Sequence, residues 1–157
     1  MNLVNRGSRI FNFFIIPLSI GLMILGPQAI LVYGSEKYIG GGILTSLFAV
    51  RTIILALDTI LGSQILFTNG YERRITLYTV FAGILNLILD SLLYFYDIYT
   101  PEYYLITTML SETFLLILYI LFINKRKLIN LQHILKYTLR YSLFSTTFIL
   151  IYFLVNF

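Results

Sequence analysis

The sequence predicts an all-α polytopic membrane protein, a transmembrane helical bundle of about five spans with a cytoplasmic N-terminus. Of its 157 residues, 59% are hydrophobic and 11% are charged, a more apolar balance than soluble domains carry. The apolar residues form five stretches, each near the roughly 20 residues that a helix needs to cross a bilayer. These predicted spans one to five cover residues 11–33, 42–67, 75–96, 103–123 and 138–157 of a single membrane domain.

The basic residues predict the orientation. The segments before span one, between spans two and three, and between spans four and five carry Arg6, Arg9, Arg73, Arg74, Lys125, Arg126, Lys127 and Lys136. The segments on the other side carry only Lys37. Because cytoplasmic loops are enriched in Lys and Arg, the N-terminus is predicted inside. The net charge of +4 then indicates contact with lipid headgroups and not with nucleic acid.

Span one contains residues that interrupt helices. Pro17 and Gly21 are followed by Gly26 and Pro27, and proline removes a backbone hydrogen bond from a helix that must satisfy all of them in lipid. We therefore expect span one to be kinked or broken, with Pro17, Gly21 and Pro27 as hinge residues. Such breaks mark substrate sites in transporters, but Pro and Gly are also common in membrane helices generally.

Span two carries two charged residues. Arg51 and Asp58 are seven residues apart, which places them on one helix face two turns apart. They either line a cavity, or Arg51 extends to an interface while Asp58 pairs with a neighbouring helix.

Spans three and four each contain a polar group of residues. In span three, Thr79, Gly83, Asn86 and Asp90 form a stripe with spacings of four, three and four. The stripe lines a polar path or packs against another helix, and packing is the expected role of Gly83 and Asn86. In span four, Thr108, Ser111 and Glu112 lie near the middle. An ionisable group there is costly unless it faces protein or water, so Glu112 is the best single candidate for function.

The remaining segments suggest anchoring and no catalysis. Residues 125–137 alternate apolar and polar side chains at helical spacing, which predicts a short interfacial helix. The sequence has no Gly-rich phosphate loop, no paired histidines and no carboxylate-rich magnesium motif. It also has no cysteine, which excludes thiol chemistry. We expect no catalytic residues, no bound metal and no cofactor.

Three segments resemble, in order and spacing, the second half of Wzx-type polysaccharide flippases of the multidrug/oligosaccharidyl-lipid/polysaccharide superfamily. They are FIIPLSIGLMILGPQAILVYGSEKY at 14–38, GSQILFTNGYERRITLYTVFAGILNLILD at 62–90 and YLITTMLSETFLLILYI at 104–120. The chain departs from the family at Asp90, where Asn is common, and in the turn FYDIYTPEYYLI at 95–106.

The resemblance implies outward transport of polyprenyl-pyrophosphate-linked oligosaccharides across the bacterial cytoplasmic (inner) membrane, for surface polysaccharide export. Family members have about twelve to fourteen helices in two bundles around a central cavity, so the chain is expected to be a C-terminal part that needs a separately encoded N-terminal half. The implied cavity residues are Arg51, Asp58, Asn86, Asp90 and Glu112. Arg51 would hold the pyrophosphate, and Glu112 would serve ion coupling or helix packing.

Two other classes remain open. The chain is an interaction or assembly subunit of an envelope complex if its polar stripes are docking faces. It is a membrane enzyme acting on polyprenyl-linked sugars if Asp58, Asp90 and Glu112 bind a metal.

Overall fold

The computed structural model describes residues 2–34 and 36–155, and every regular element among them is helical, which confirms the all-α prediction. The α-helices are α1 (Asn2–Ile24), α2 (Gly26–Gly34), α3 (Gly42–Asp58), α4 (Glu72–Phe95), α5 (Pro101–Arg126) and α6 (Gln132–Val155). A 3₁₀ helix, Glu36–Gly41, precedes α3. A π-helix, Thr59–Leu66, continues α3 and ends in a 3₁₀ turn, Phe67–Asn69.

Four helical segments are long and apolar enough to cross a membrane. They are Val4–Ile24, Gly42–Asn69, Glu72–Phe95 and Pro101–Arg126. Their outward faces carry large exposed apolar side chains such as Leu18, Leu87 and Leu121, as expected where lipid is the solvent. The chain therefore has the features of a multi-pass membrane protein. Span five corresponds to α6, but residues 156 and 157 lie outside the described part, so the fifth crossing stays a prediction.

Two predicted boundaries differ from the structure. Helix α1 begins at Asn2 and not near residue 11. An apolar stretch marks only the part of a helix that lies in lipid. The helix extends further, into the headgroups, through basic side chains such as Arg6 and Arg9. The interfacial helix predicted at 125–137 is not a separate element. Lys127 has a left-handed backbone conformation (φ 52°) that ends α5, and the rest of the segment is a turn and the start of α6.

The chain divides into two compact units. The hairpin unit is formed mainly by residues 54–131, and the terminal unit by residues 5–53 together with α6. One boundary lies inside α3. A division within a continuous helix leaves no Gly-, Pro- or Ser-rich linker, so the sequence carries no signal for it.

The hairpin unit consists of α4, α5 and the π-helix, which pack on one another. An aromatic cluster joins them on one side: Tyr71 and Tyr78 each meet the ring of Phe122 edge-on, at 5.0 and 6.1 Å between ring centres. Tyr119 and Ile123 of α5 are buried, as are Ile60 and Leu66 of the π-helix. These residues form the core of the unit.

The terminal unit contains the break in span one. The helix is interrupted at Leu25 and restarts at Gly26, next to Pro27, whereas Pro17 and Gly21 lie inside α1. The break coincides with a close crossing of α2 and α3. A methyl group added to Gly42 would lie 2.9 Å from Pro27 Cα, and one on Gly26 would collide with Ser46.

Candidate functional site

Asp90 is held in a hydrogen-bond network that joins α4 to α5. Asn86 Nδ2 donates to Asp90 Oδ2 at 3.0 Å, and the Thr107 hydroxyl lies 2.6 Å from Asp90 Oδ1. Thr108 adds a long contact of 3.5 Å to Asn86 Oδ1. Both carboxylate oxygens of Asp90 therefore have partners within the hairpin, which is the arrangement expected of a group that links two membrane helices.

Gly83, in the same stripe, does not pack against a helix in the described structure. A methyl group added there would meet nothing within 4 Å. The expected packing role therefore applies to Asn86 and not to Gly83. Small residues allow close approach only where a second backbone is present, and sequence spacing alone does not reveal that backbone.

A second polar cluster forms where α3 becomes the π-helix, and we call it the Asp58 cluster. It contains Asp58, the last residue of α3, with Thr79 of α4 and Glu112 and Tyr119 of α5. The charge of Glu112 acts on Asp58, and the Tyr119 hydroxyl interacts with Thr79 and with Asp58. Three membrane helices thus contribute polar side chains to one place.

Asp58 and Asp90, two of the acidic residues of the hairpin unit, differ in their hydrogen bonding. Asp58 Oδ1 is buried and accepts no hydrogen bond from any described residue, whereas both oxygens of Asp90 have partners. A buried polar atom without a partner is costly, and native proteins usually satisfy such atoms or use them for function. Asp58 is therefore the residue of the hairpin whose environment requires a functional explanation.

The local backbone explains how the Asp58 cluster is assembled. Gly62 lies one turn into the π-helix, and a methyl group there would lie 3.2 Å from the Tyr119 ring. Its missing side chain lets Tyr119, only 2% exposed, approach the helix. The Phe67 N–H bonds to the Gly62 carbonyl, which is the five-residue spacing of a π-helix. Such segments are rare and often occur at functional sites.

The cluster brings two acidic residues, Asp58 and Glu112, within electrostatic range of each other, and like charges repel strongly in a medium of low dielectric constant. Among the described residues, no three acidic or metal-binding side chains are close enough to hold a metal ion. The structure thus does not assemble Asp58, Asp90 and Glu112 as the metal site that the enzyme interpretation requires.

Arg51, the predicted pyrophosphate ligand, belongs to the terminal unit. Its guanidinium lies 5.9 Å from the centre of the Phe48 ring.

Two residues of interest were not predicted from the sequence. Tyr119 lies in an aliphatic run, and its one polar signal is Glu112, seven residues earlier and therefore on the same helix face. Arg140 lay inside span five, although its position four residues after Lys136 is a detectable basic pattern.

The chain has no match among known proteins: no protein-family model, no curated protein and no solved structure matches it. The helical fold and its four long apolar segments are those of a multi-pass α-helical membrane protein.

Proposed function

We propose that this chain is part of a membrane transporter and that the Asp58 cluster is its polar site. The observation that carries the proposal is the buried, unpartnered oxygen of Asp58 beside a second acidic residue, at a π-helix among three membrane helices. An acidic residue that only links helices would resemble Asp90, whose two oxygens are both satisfied. Ionisable groups at membrane depth characteristically mark ion or substrate pathways.

For the cargo, we propose a polyprenyl-pyrophosphate-linked oligosaccharide moved outward across the bacterial cytoplasmic membrane. The support is the order and spacing of the three segments that resemble Wzx-type flippases, together with the helix break beside Pro27. Transport makes and breaks no covalent bond, so this function requires no catalytic residue. We also propose that a separately encoded N-terminal half completes the cavity, because alternating access needs two bundles.

The two other classes have less support. For an enzyme, the metal-binding set of Asp58, Asp90 and Glu112 is not assembled among the described residues. For an assembly subunit, the most extended polar stripe is already used inside the hairpin, where Asn86 and Asp90 bond to each other and to α5.

Genetic complementation tests the proposal. The chain is expressed in a bacterium that lacks its own polysaccharide flippase, first alone and then with the coding segment directly upstream of it. We expect surface polysaccharide to return only when both parts are present. Stable membrane insertion without any restoration in either case would refute the transport function, and metal-dependent turnover of a lipid-linked sugar would establish the enzyme instead.

A further inference from the structure

A basic pocket lies between α1 and α6, entirely within the terminal unit. It has a volume of about 720 Å³, and its lining includes Arg9 and Phe13 of α1 and Tyr137, Arg140, Tyr141 and Ser145 of α6. Arg9 precedes predicted span one, and Arg140 is the third residue of predicted span five, near its cytoplasmic end. By the predicted topology, the pocket faces the inner leaflet at headgroup depth.

The two guanidinium groups are positioned by aromatic rings and not by acidic residues. Arg9 lies 5.9 Å from the centre of the Tyr137 ring, and Arg140 lies 5.7 Å from that of Phe144. Neither α1 nor α6 contains an Asp or Glu, and no acidic side chain lines the pocket. Cation–π contacts orient a guanidinium but leave its N–H groups available for an anion.

The helices that carry these arginines are held together beside the pocket. Asn12, which is buried, donates from Nδ2 to Thr138 Oγ1 at 3.1 Å. One turn away, the rings of Phe13 and Tyr141 meet edge-on at 5.7 Å. This hydrogen bond and this ring contact hold α1 against α6. Because the pocket is already formed before a ligand binds, less free energy is lost in ordering it.

We propose that this pocket binds the phosphate group of an anionic membrane lipid. Two arginines in one pocket match a phosphate, whose oxygens accept paired, charge-assisted hydrogen bonds. Apart from Ser145, the rest of the lining is apolar or aromatic, including Ile10, Phe14 and Pro17, which suits an attached acyl chain and not a fully hydrated ion. The inference rests on α1 and α6 alone and is independent of the proposed transport function.

The test is calorimetric titration of the purified full chain, in neutral detergent, with phosphatidic acid. Phosphatidylcholine and inorganic pyrophosphate are the comparison ligands. We expect Arg9→Gln and Arg140→Gln each to raise the Kd for phosphatidic acid by roughly tenfold or more, since each removes a charge-assisted contact. Arg126→Gln is the matched control, because Arg126 also lies over a ring, that of Phe122 at 5.8 Å, but lies outside the pocket. It should leave the Kd unchanged.

Three results would overturn the proposal. If Arg126→Gln raises the Kd for phosphatidic acid as much as the pocket variants do, the binding is diffuse charge attraction. If phosphatidylcholine binds with equal affinity, the pocket does not recognise the anionic phosphate. If pyrophosphate binds more tightly than phosphatidic acid, the pocket binds a soluble anion. If a pocket variant does not fold, competition on the unaltered chain decides. Excess pyrophosphate must displace phosphatidic acid, and a failure to compete contradicts phosphate recognition.

Discussion

Asp58 and Asp90 are both acidic residues in apolar helices, yet their surroundings differ. Asp90 accepts hydrogen bonds on both oxygens, and Asp58 has a buried oxygen that accepts none from any described residue. The sequence identified both residues as polar groups at membrane depth but did not distinguish them. The distinction depends on the side chains that α5 presents to α4, which is tertiary information.

Substitutions of Asp90 should show that its role is geometric and not electrostatic. Asp90→Asn should be tolerated within about 0.5 kcal/mol, because Asn can accept from Asn86 and donate to the Thr107 hydroxyl, which in turn lies 2.8 Å from the Tyr104 carbonyl. Asp90→Ala loses both contacts and should cost about 1–2 kcal/mol. Thermal unfolding in detergent measures both changes.

The control for these variants is Ser91→Ala, since among the described residues the Ser91 hydroxyl donates to the Leu87 carbonyl of its own helix. It should leave the stability unchanged. An Asp90→Asn chain as unstable as Asp90→Ala would show that the negative charge itself holds the hairpin together, which would contradict the account of Asp90.

Gly62 should be intolerant of a side chain. The added methyl group of Gly62→Ala would lie 3.2 Å from the Tyr119 ring, so the ring must shift, at a cost of about 1–3 kcal/mol. Gly83→Ala is the matched control in the same unit, because nothing lies within 4 Å of that position. It should be neutral or stabilising by up to about 1 kcal/mol. Equal thermal stabilities of the two variants would exclude the Gly62–Tyr119 contact.

Among the helices, the sequence predicted type better than ends. Apolar length predicted five spans, and four helical segments are long and apolar enough to cross a membrane, because the bilayer fixes the number of residues needed to cross it. Helix ends depend on backbone details such as the left-handed Lys127, which no apolar pattern encodes. The break in span one was expected near three residues, and it lies at Leu25, two residues before Pro27, which meets another helix at close range.

The crossing of α2 and α3 gives a prediction for that pair of helices. Gly42→Ala places a methyl group 2.9 Å from the backbone of Pro27, and a backbone atom cannot move aside as a side chain can. We expect a loss of about 3 kcal/mol or more, with reduced yield of folded protein. Gly21→Ala, in open space within α1, should be neutral or slightly stabilising. A fully stable Gly42→Ala chain would contradict the close crossing.

For the chain in the membrane, the charge pattern predicts the sidedness of each loop. Reporter fusions in the 3₁₀ turn Phe67–Asn69 and after Lys127 should be cytoplasmic, and a fusion after Asp97 should be external. Each fusion is read with one enzyme that is active only inside and one that is active only outside. The opposite pattern would place the basic pocket in the outer leaflet and would contradict the predicted orientation.

The limits of prediction are clearest for the chain as a whole. Membrane class and helix content follow from composition, because a chain with 59% hydrophobic residues needs lipid to solvate it. The division into two units does not follow, since one boundary lies within α3. The basic pocket was also missed, because Arg9 and Arg140 are 131 positions apart in the chain and meet only through the packing of α1 on α6.

The most direct test of the central claim is transport by charge-neutralised variants of the Asp58 cluster. The chain and the proposed N-terminal half are reconstituted in liposomes, and outward movement of a polyprenyl-pyrophosphate-linked oligosaccharide is followed by its accessibility to an added lectin. Asp58→Asn and Glu112→Gln should each slow transport by about tenfold or more, while Asp97→Asn, in the exposed turn after α4, should transport normally. Normal transport by the Asp58 and Glu112 variants would contradict the claim that this cluster takes part in transport.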